Sequence, residues 1–184
     1  MDKYKKIKNI RNNLLNGNLC IGSWLQIENE TVAEIISSSG YSWIAIDMEH
    51  GSFSMNKLPN MFRSIEINNV LPLVRIPPKN LEIAKRSLDA GAGGIILPNI
   101  ETSEQIRECI NELSWPPKGK RGVGYSRANN FGKSFEQYKT EAQNPLIIAM
   151  IESIKGAENL DEILKVEGLD AIFIGPYDLS ASIG

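Results

Sequence analysis

Short runs of aliphatic and β-branched residues alternate along the chain with longer stretches in which apolar residues return every three to four positions. The short runs are Leu19–Leu25, Trp43–Asp47, Leu71–Arg75, Gly94–Leu97, a brief one at Gly122–Gly124, Leu146–Ile151 and Ala171–Ile174. Their length and β-rich content predict strands buried on both faces. The longer stretches predict helices at Thr31–Ser38, Met55–Asn68, Leu81–Ala90, Ser103–Leu113, Phe135–Glu141 and Ala157–Lys165. Gly40 and Gly91 stand where a helix end favours a left-handed residue, and Thr102 or Ser103 precedes an acidic first turn.

Strands alternating with helices in this way predict an α/β fold with a parallel sheet. Seven βα units without a glycine-rich nucleotide loop after the first strand favour a (β/α)8 TIM barrel over an open, doubly wound sheet. A complete barrel of this kind runs to about 250 residues. The 184 residues present therefore predict one TIM-barrel domain over 1–184 that stops after strand seven, with the eighth unit missing.

Composition narrows the function. With 42% hydrophobic and 23% charged residues the chain can bury a core. Lys and Arg number 20 against 22 for Asp and Glu, a net charge of -2, so no basic stripe is available for a nucleic acid. Apolar runs such as Pro145–Ile151 fall far short of the roughly 20 residues of a membrane span. Several lysines in Met1–Arg11 lead into an Asn-rich stretch and not into an apolar signal core, so the expected location is cytoplasmic. Cys20 and Cys109 show no metal-ligand or disulfide spacing and are expected to be buried and structural.

Barrel enzymes carry their chemistry on the loops that follow the strands. Strand two runs into Asp47-Met48-Glu49-His50, strand three ends in Arg75, the run Leu146–Ile151 in Glu152, and the last run in Gly175-Pro176-Tyr177-Asp178. His50 is the only histidine, and carboxylates beside it suit it to proton transfer. Glu152 and Asp178 suit a hard divalent cation, unless each caps a loop or pairs with a lysine such as Lys155. Arg75, stiffened by Pro77 and Pro78, can bind a carboxylate or a developing oxyanion. Asp89 ends a helix where its charge opposes the helix dipole.

With these residues in place the chain resembles the HpcH/HpaI aldolases, class II enzymes of the 4-hydroxy-2-oxo acid and 2-dehydro-3-deoxyglucarate aldolase type. The matching text comprises Gly22-Ser23-Trp24-Leu25, Ile46-Asp47-Met48-Glu49-His50, Val74-Arg75-Ile76-Pro77 and Leu88-Asp89-Ala90-Gly91-Ala92. It continues through Pro116–Gly124, Ile151-Glu152 and Gly168–Ser180. The resemblance implies cleavage of a 4-hydroxy-2-oxo acid to pyruvate and an aldehyde through an enolate, with a divalent ion (Mg²⁺, Mn²⁺ or Co²⁺) as cofactor. It implies His50 as the base, Asp89 as the residue that raises its basicity, and Arg75 as the transition-state stabiliser. Glu152 and Asp178 would hold the metal, Gly175, Pro176, Tyr177 and Asp178 would receive the oxo acid, and Trp24 would line the pocket. A homo-oligomer is implied as well. Two positions depart from the family pattern: Met150 replaces a substrate-contacting Gln, and Tyr177 replaces a small residue. The competing expectations are an acyl-CoA lyase of the citrate-lyase β-subunit type and a retired barrel serving as a binding subunit.

Overall fold

A computed structural model describes residues 2–184. Six strands form a single sheet in chain order, every neighbouring pair parallel: β1 (Gly22–Leu25), β2 (Trp43–Asp47), β3 (Leu71–Arg75), β4 (Gly94–Leu97), β5 (Leu146–Ile151) and β6 (Ala171–Ile174). The sheet curls into a half-barrel. Its two outer strands approach closely enough for the rings of Trp24 on β1 and Phe173 on β6 to stack at 5.3 Å between centroids.

Side chains alternate across each strand, and the two sets fall into two separate cores. Ile44, Ile46, Val74, Ile95, Leu97, Ile147, Ala149 and Ile151 face outward and pack against the helices. These are α2 (Glu30–Ser37), α3 (Leu58–Glu66), α4 (Leu81–Ala90), α5 (Ser103–Leu113), α7 (Ile154–Glu158) and α8 (Leu160–Leu164). The intervening residues Ala45, Leu71, Leu73, Ile96, Leu146 and Met150 face inward and fill the barrel.

That inner core is closed below by α1 (Lys3–Leu15), a helix with no counterpart among the predicted elements. Its Ile7 and Ile10 are buried against the strand starts, while the rest of its surface is mostly Lys and Asn, with Leu14 and Leu15 exposed at its end. Arg11 fixes its position, donating from Nε to Asp170 Oδ1 at 2.6 Å and from Nη2 to the carbonyls of Asn144 and Pro145 at 3.0 Å. Asp170 in turn accepts the Ile147 backbone N–H at 2.9 Å, so one ion pair ties α1 to the starts of β5 and β6.

The sequence expectations need four corrections. Gly122–Gly124 forms no strand, and the strand count is six where seven were expected. Two glycines around one valine have too little side chain to hold a place in a sheet, and β4 pairs directly with β5 instead. The residues between α5 and β5 form a long loop, an irregular 3₁₀ turn (Arg127–Gly132) and α6 (Phe135–Ala142). The helix expected over Ala157–Lys165 is split into α7 and α8 at Asn159, and the loop expected after Ile174 is a helix, α9 (Pro176–Ile183). Both cysteines are free and half-buried, where full burial was expected. No helix among the described residues is long and apolar enough to cross a membrane.

Other boundaries follow their capping residues. Thr102 and Gln105 form a reciprocal capping box at the start of α5, and Gly91 closes α4 with a φ of 113°.

Candidate active site

The inward-facing series that fills the barrel ends, on the C-terminal rim, in polar residues. Along β2 it runs Trp43, Ala45, Asp47; along β3, Leu71, Leu73, Arg75; and along β5, Ile148, Met150, Glu152. Asp47 and Arg75 are direct partners in the β2–β3 register, so two adjacent inward side chains of opposite charge meet at the same height. The contact is bidentate, with Nε to Oδ1 at 2.9 Å and Nη2 to Oδ2 at 2.5 Å.

Asp47 organises the rim. Its Oδ2 also accepts from Trp24 Nε1 at 3.2 Å and Gln26 Nε2 at 3.0 Å, and its Oδ1 from the backbone N–H groups of Glu49 and His50 at 3.1 Å each. Full burial alone would raise this carboxyl, but the bonds from Arg75, Gln26, the His50 backbone and Trp24 outweigh it and hold Asp47 well below the usual carboxylate range. Asp47 therefore folds the turn that presents Glu49 and His50. Gly51 completes that turn, since a Cβ there would meet the Asp47 carbonyl oxygen at 2.3 Å.

His50 stands out at the mouth, its side chain 64% exposed, with Nε2 3.9 Å from Glu49 Oε1. Glu49 turns inward. Its Oε2 is buried without a hydrogen-bond partner, 3.4 Å from Arg75 Nη1. Burial first, then the charges of Asp47 and Asp178, push its carboxyl upward against the pull of Arg75 and His50.

Glu152 is buried and accepts the Asn99 backbone N–H at 3.3 Å on Oε1. Burial raises its pKa, and the charges of Glu49 and Asp178 add to that. It folds over Gly175: a Cβ at that position would come within 2.8 Å of Glu152 Cγ, so the glycine leaves the space the carboxylate occupies. Lys155, the expected alternative partner, is engaged 3.1 Å from Glu101. Asp178 lies exposed in the first turn of α9. Pro176 has no N–H to offer, and the Tyr177 and Asp178 backbone amides are the donors an α-helix leaves open at that end.

Three carboxylates of one rim thus feel one another's charge, while the nearby cation Arg75 is held mainly by Asp47 and offsets part of the charge of Glu49 and Glu152. Among the described residues no three acidic, histidine or cysteine side chains converge into a complete metal cage. The donor set, two hard carboxylates with the rest of the coordination left to water and substrate oxygens, fits a divalent cation of the Mg²⁺ type.

Trp24 lies where a pocket wall was expected, between the Arg75 guanidinium, 5.1 Å from its ring, and Phe173. Met150 is buried below Glu152 in the barrel interior, which makes that floor apolar, and Tyr177 projects at the mouth with 90% of its surface exposed. Asp89 is not brought to His50. It sits at the far end of α4, at the opposite end of the half-barrel from the rim, 3.5 Å from the buried Arg121. Burial raises its pKa, Arg121 opposes the rise and Glu82 adds to it. A cavity of about 570 Å³ also opens at that lower end, lined by Lys3, Glu66, Arg127 and Glu141, and is remote from the rim. Gln26 and Asn99 are contributors that sequence reasoning missed; their one signal is a polar residue within two positions of a strand end.

Comparison with known proteins places the arrangement in a lineage. The sequence profile of HpcH/HpaI aldolase/citrate lyase matches residues 20–184. The chain is 35% identical over 180 residues to a hydroxypyruvate/pyruvate aldolase of Roseobacter denitrificans, covering 97% of this chain and 70% of that one. It is 40% identical over 174 residues to a 2-keto-3-deoxy-L-rhamnonate aldolase of Klebsiella pneumoniae, covering 93% and 65%. The crystal structure of an HpcH/HpaI aldolase/citrate lyase family protein from Burkholderia cenocepacia superimposes with a TM-score of 0.88 at 32% identity, over 96% of this chain and 72% of that one. The chain spans about two thirds of the length of these curated relatives. A match over nearly all of the chain, joined to the same half-barrel, makes it a member of the HpcH/HpaI aldolase/citrate lyase family, a family of enzymes.

Proposed function

We propose that the protein is a divalent-metal-dependent aldolase that cleaves a 4-hydroxy-2-oxo acid to pyruvate and an aldehyde, and runs the reverse addition. The observation that carries this reading is the meeting, on one rim, of a neutralised Arg75–Asp47 pair, an exposed histidine and two acidic side chains with no lysine partner. The names of the aldolase relatives support the reaction class.

Glu152 and Asp178 hold the cation. When bound, it supplies Lewis-acid stabilisation of the charge that develops on the keto oxygen, an effect worth several kcal/mol. The first-turn amides of α9 at Tyr177 and Asp178 receive the carboxylate of the oxo acid. Arg75 keeps Nη1 free of Asp47 and adds positive charge beside the reacting carbons, while Asp47 fixes its direction. His50, directly or through one water, takes the proton of the 4-hydroxyl; the C3–C4 electrons pass to the oxo acid and the aldehyde leaves. The proton then returns to C3 and gives pyruvate. Trp24 and Met150 keep the inner side of the site apolar and exclude water from the nascent carbanion. Tyr177 and Gln26 flank the mouth, where the aldehyde portion would lie. Within one chain Asp89 cannot reach His50, so a role in tuning it requires a second copy, and a homo-oligomer belongs to the proposal.

The test is pyruvate release from a panel of 4-hydroxy-2-oxo acids, 2-keto-3-deoxy sugar acids included, with Mg²⁺ or Mn²⁺ and with EDTA. Release that needs the metal and stops with EDTA is the expected result. Folded protein that releases no pyruvate from any of them, with metal present, would remove the proposal.

A further inference from the structure

Glu49 is half-buried, and the buried end of its side chain has no role that the fold explains. Its backbone is fixed by Asp47, yet its carboxylate is directed into the rim, where Oε2 is buried and accepts no hydrogen bond. A buried charged oxygen left in that state costs about 1–3 kcal/mol or more. Arg75 relieves it only in part: Nη1 lies 3.4 Å away in an ion pair without hydrogen-bond geometry, with Nε and Nη2 committed to Asp47. The other carboxylate oxygen, Oε1, faces His50 Nε2 at 3.9 Å. Glu49 thus lies between the histidine and the acidic pair, and its charge is felt at Glu152. It does not join Glu152 and Asp178 in a three-ligand group.

Resting on the metal-site reading above, we propose that Glu49 is a positioning residue that couples the cation to His50. A water of the cation's hydration shell donates to the buried Oε2, and Oε1 orients the imidazole. This fits the general behaviour of outer-shell carboxylates, which orient first-shell groups and whose loss typically weakens metal binding about 10- to 100-fold. It also gives the orphaned oxygen the donor it lacks.

The sequence makes the test direct, because His50 is the only histidine and its imidazole gives a single set of NMR signals. Untagged wild-type protein, Glu49→Gln and Glu152→Gln are titrated with Mg²⁺, reading affinity by calorimetry and the His50 Cε1–H shift by NMR. Wild type is expected to bind Mg²⁺ and to show a saturable His50 shift. Glu49→Gln is expected to bind about 10-fold more weakly and, at saturating Mg²⁺, to lose the His50 response. Glu49→Asp, which keeps the charge, should recover part of the affinity. Unchanged affinity with an unchanged His50 response in Glu49→Gln would overturn the coupling, and so would a loss of binding as complete as that in Glu152→Gln, which would make Glu49 a direct ligand. Wild type that binds no Mg²⁺ would instead remove the metal-site reading along with it.

Discussion

Glu152 and His50 carry different proposed roles and should separate cleanly in experiment. Glu152→Ala should lose metal-dependent turnover and Mn²⁺ affinity together. His50→Ala should keep Mn²⁺ affinity while kcat falls about 10²- to 10⁴-fold. Turnover assays beside Mn²⁺ titrations check both. Asp47→Asn should act on stability, since it leaves the Arg75 guanidinium, 10% exposed, without its counter-charge. Breaking a buried pair in this way costs about 3–5 kcal/mol. Because the folded state holds the Asp47 carboxyl below its unfolded range, its contribution is complete at neutral pH and is lost only as pH falls below about 4. Urea unfolding of wild type and variant at pH 7 should show the difference, and it should shrink in acid.

At the scale of elements, register and alternation decide which residues can work together. Asp47 meets Arg75 because β2 and β3 pair at that level, and Gly175 clears Glu152 because β5 and β6 pair Ile151 with Ile174 one residue earlier. Gly175→Ala should displace Glu152 and lower Mn²⁺ affinity more than 10-fold with the circular dichroism spectrum unchanged; retained affinity would show that the side chain has another path. The N-terminal helix is a second case. Arg11→Ala removes the bonds that hold α1 under the barrel and should destabilise the protein by roughly 2–3 kcal/mol in urea unfolding, leaving Mn²⁺ binding intact.

Over the whole molecule, charge is distributed unequally between the two ends of the half-barrel. At the lower end, burial raises Glu141 to about 7, with Glu66 and Asp2 adding to the rise and Lys3 and Arg121 opposing it. A carboxyl whose folded value lies above its unfolded one binds more protons in the folded state, so its contribution is complete below about 4.5 and is lost as pH rises through 7. Glu141→Gln should therefore be nearly neutral at pH 4.5 and more stable than wild type by up to about 2–3 kcal/mol at pH 8. Thermal unfolding at the two pH values measures this.

The strands were legible in the chain itself. From Trp43–Asp47 to Ala171–Ile174 each strand has the bounds of an apolar run; β2 to β5 are mostly buried and leave an unbroken local signature, while β6 keeps the apolar run although its end is exposed. The rim residues were legible for the same reason, as the polar positions at which those runs stop. Other features gave no such signal. Only Ile7 and Ile10 of α1 are buried, too thin a stripe to announce a helix before the barrel that receives it exists. Gly122–Gly124 read as a strand because composition does not reveal that β4 and β5 already satisfy each other's hydrogen bonds.

By itself the sequence determined the strand and helix segments, the alternation that sends one set of side chains inward, and the residue types that end each strand on the rim. Those are local properties of backbone and side chain. Tertiary structure alone decided that Asp47 would hold Arg75 and the His50 turn, that Asp89 would face Arg121 at the opposite end, and that Glu49 would be left with a buried oxygen without a hydrogen bond on the rim it shares with Glu152 and Asp178. Such pairings depend on strand register and barrel curvature, which bring together residues that no local pattern links.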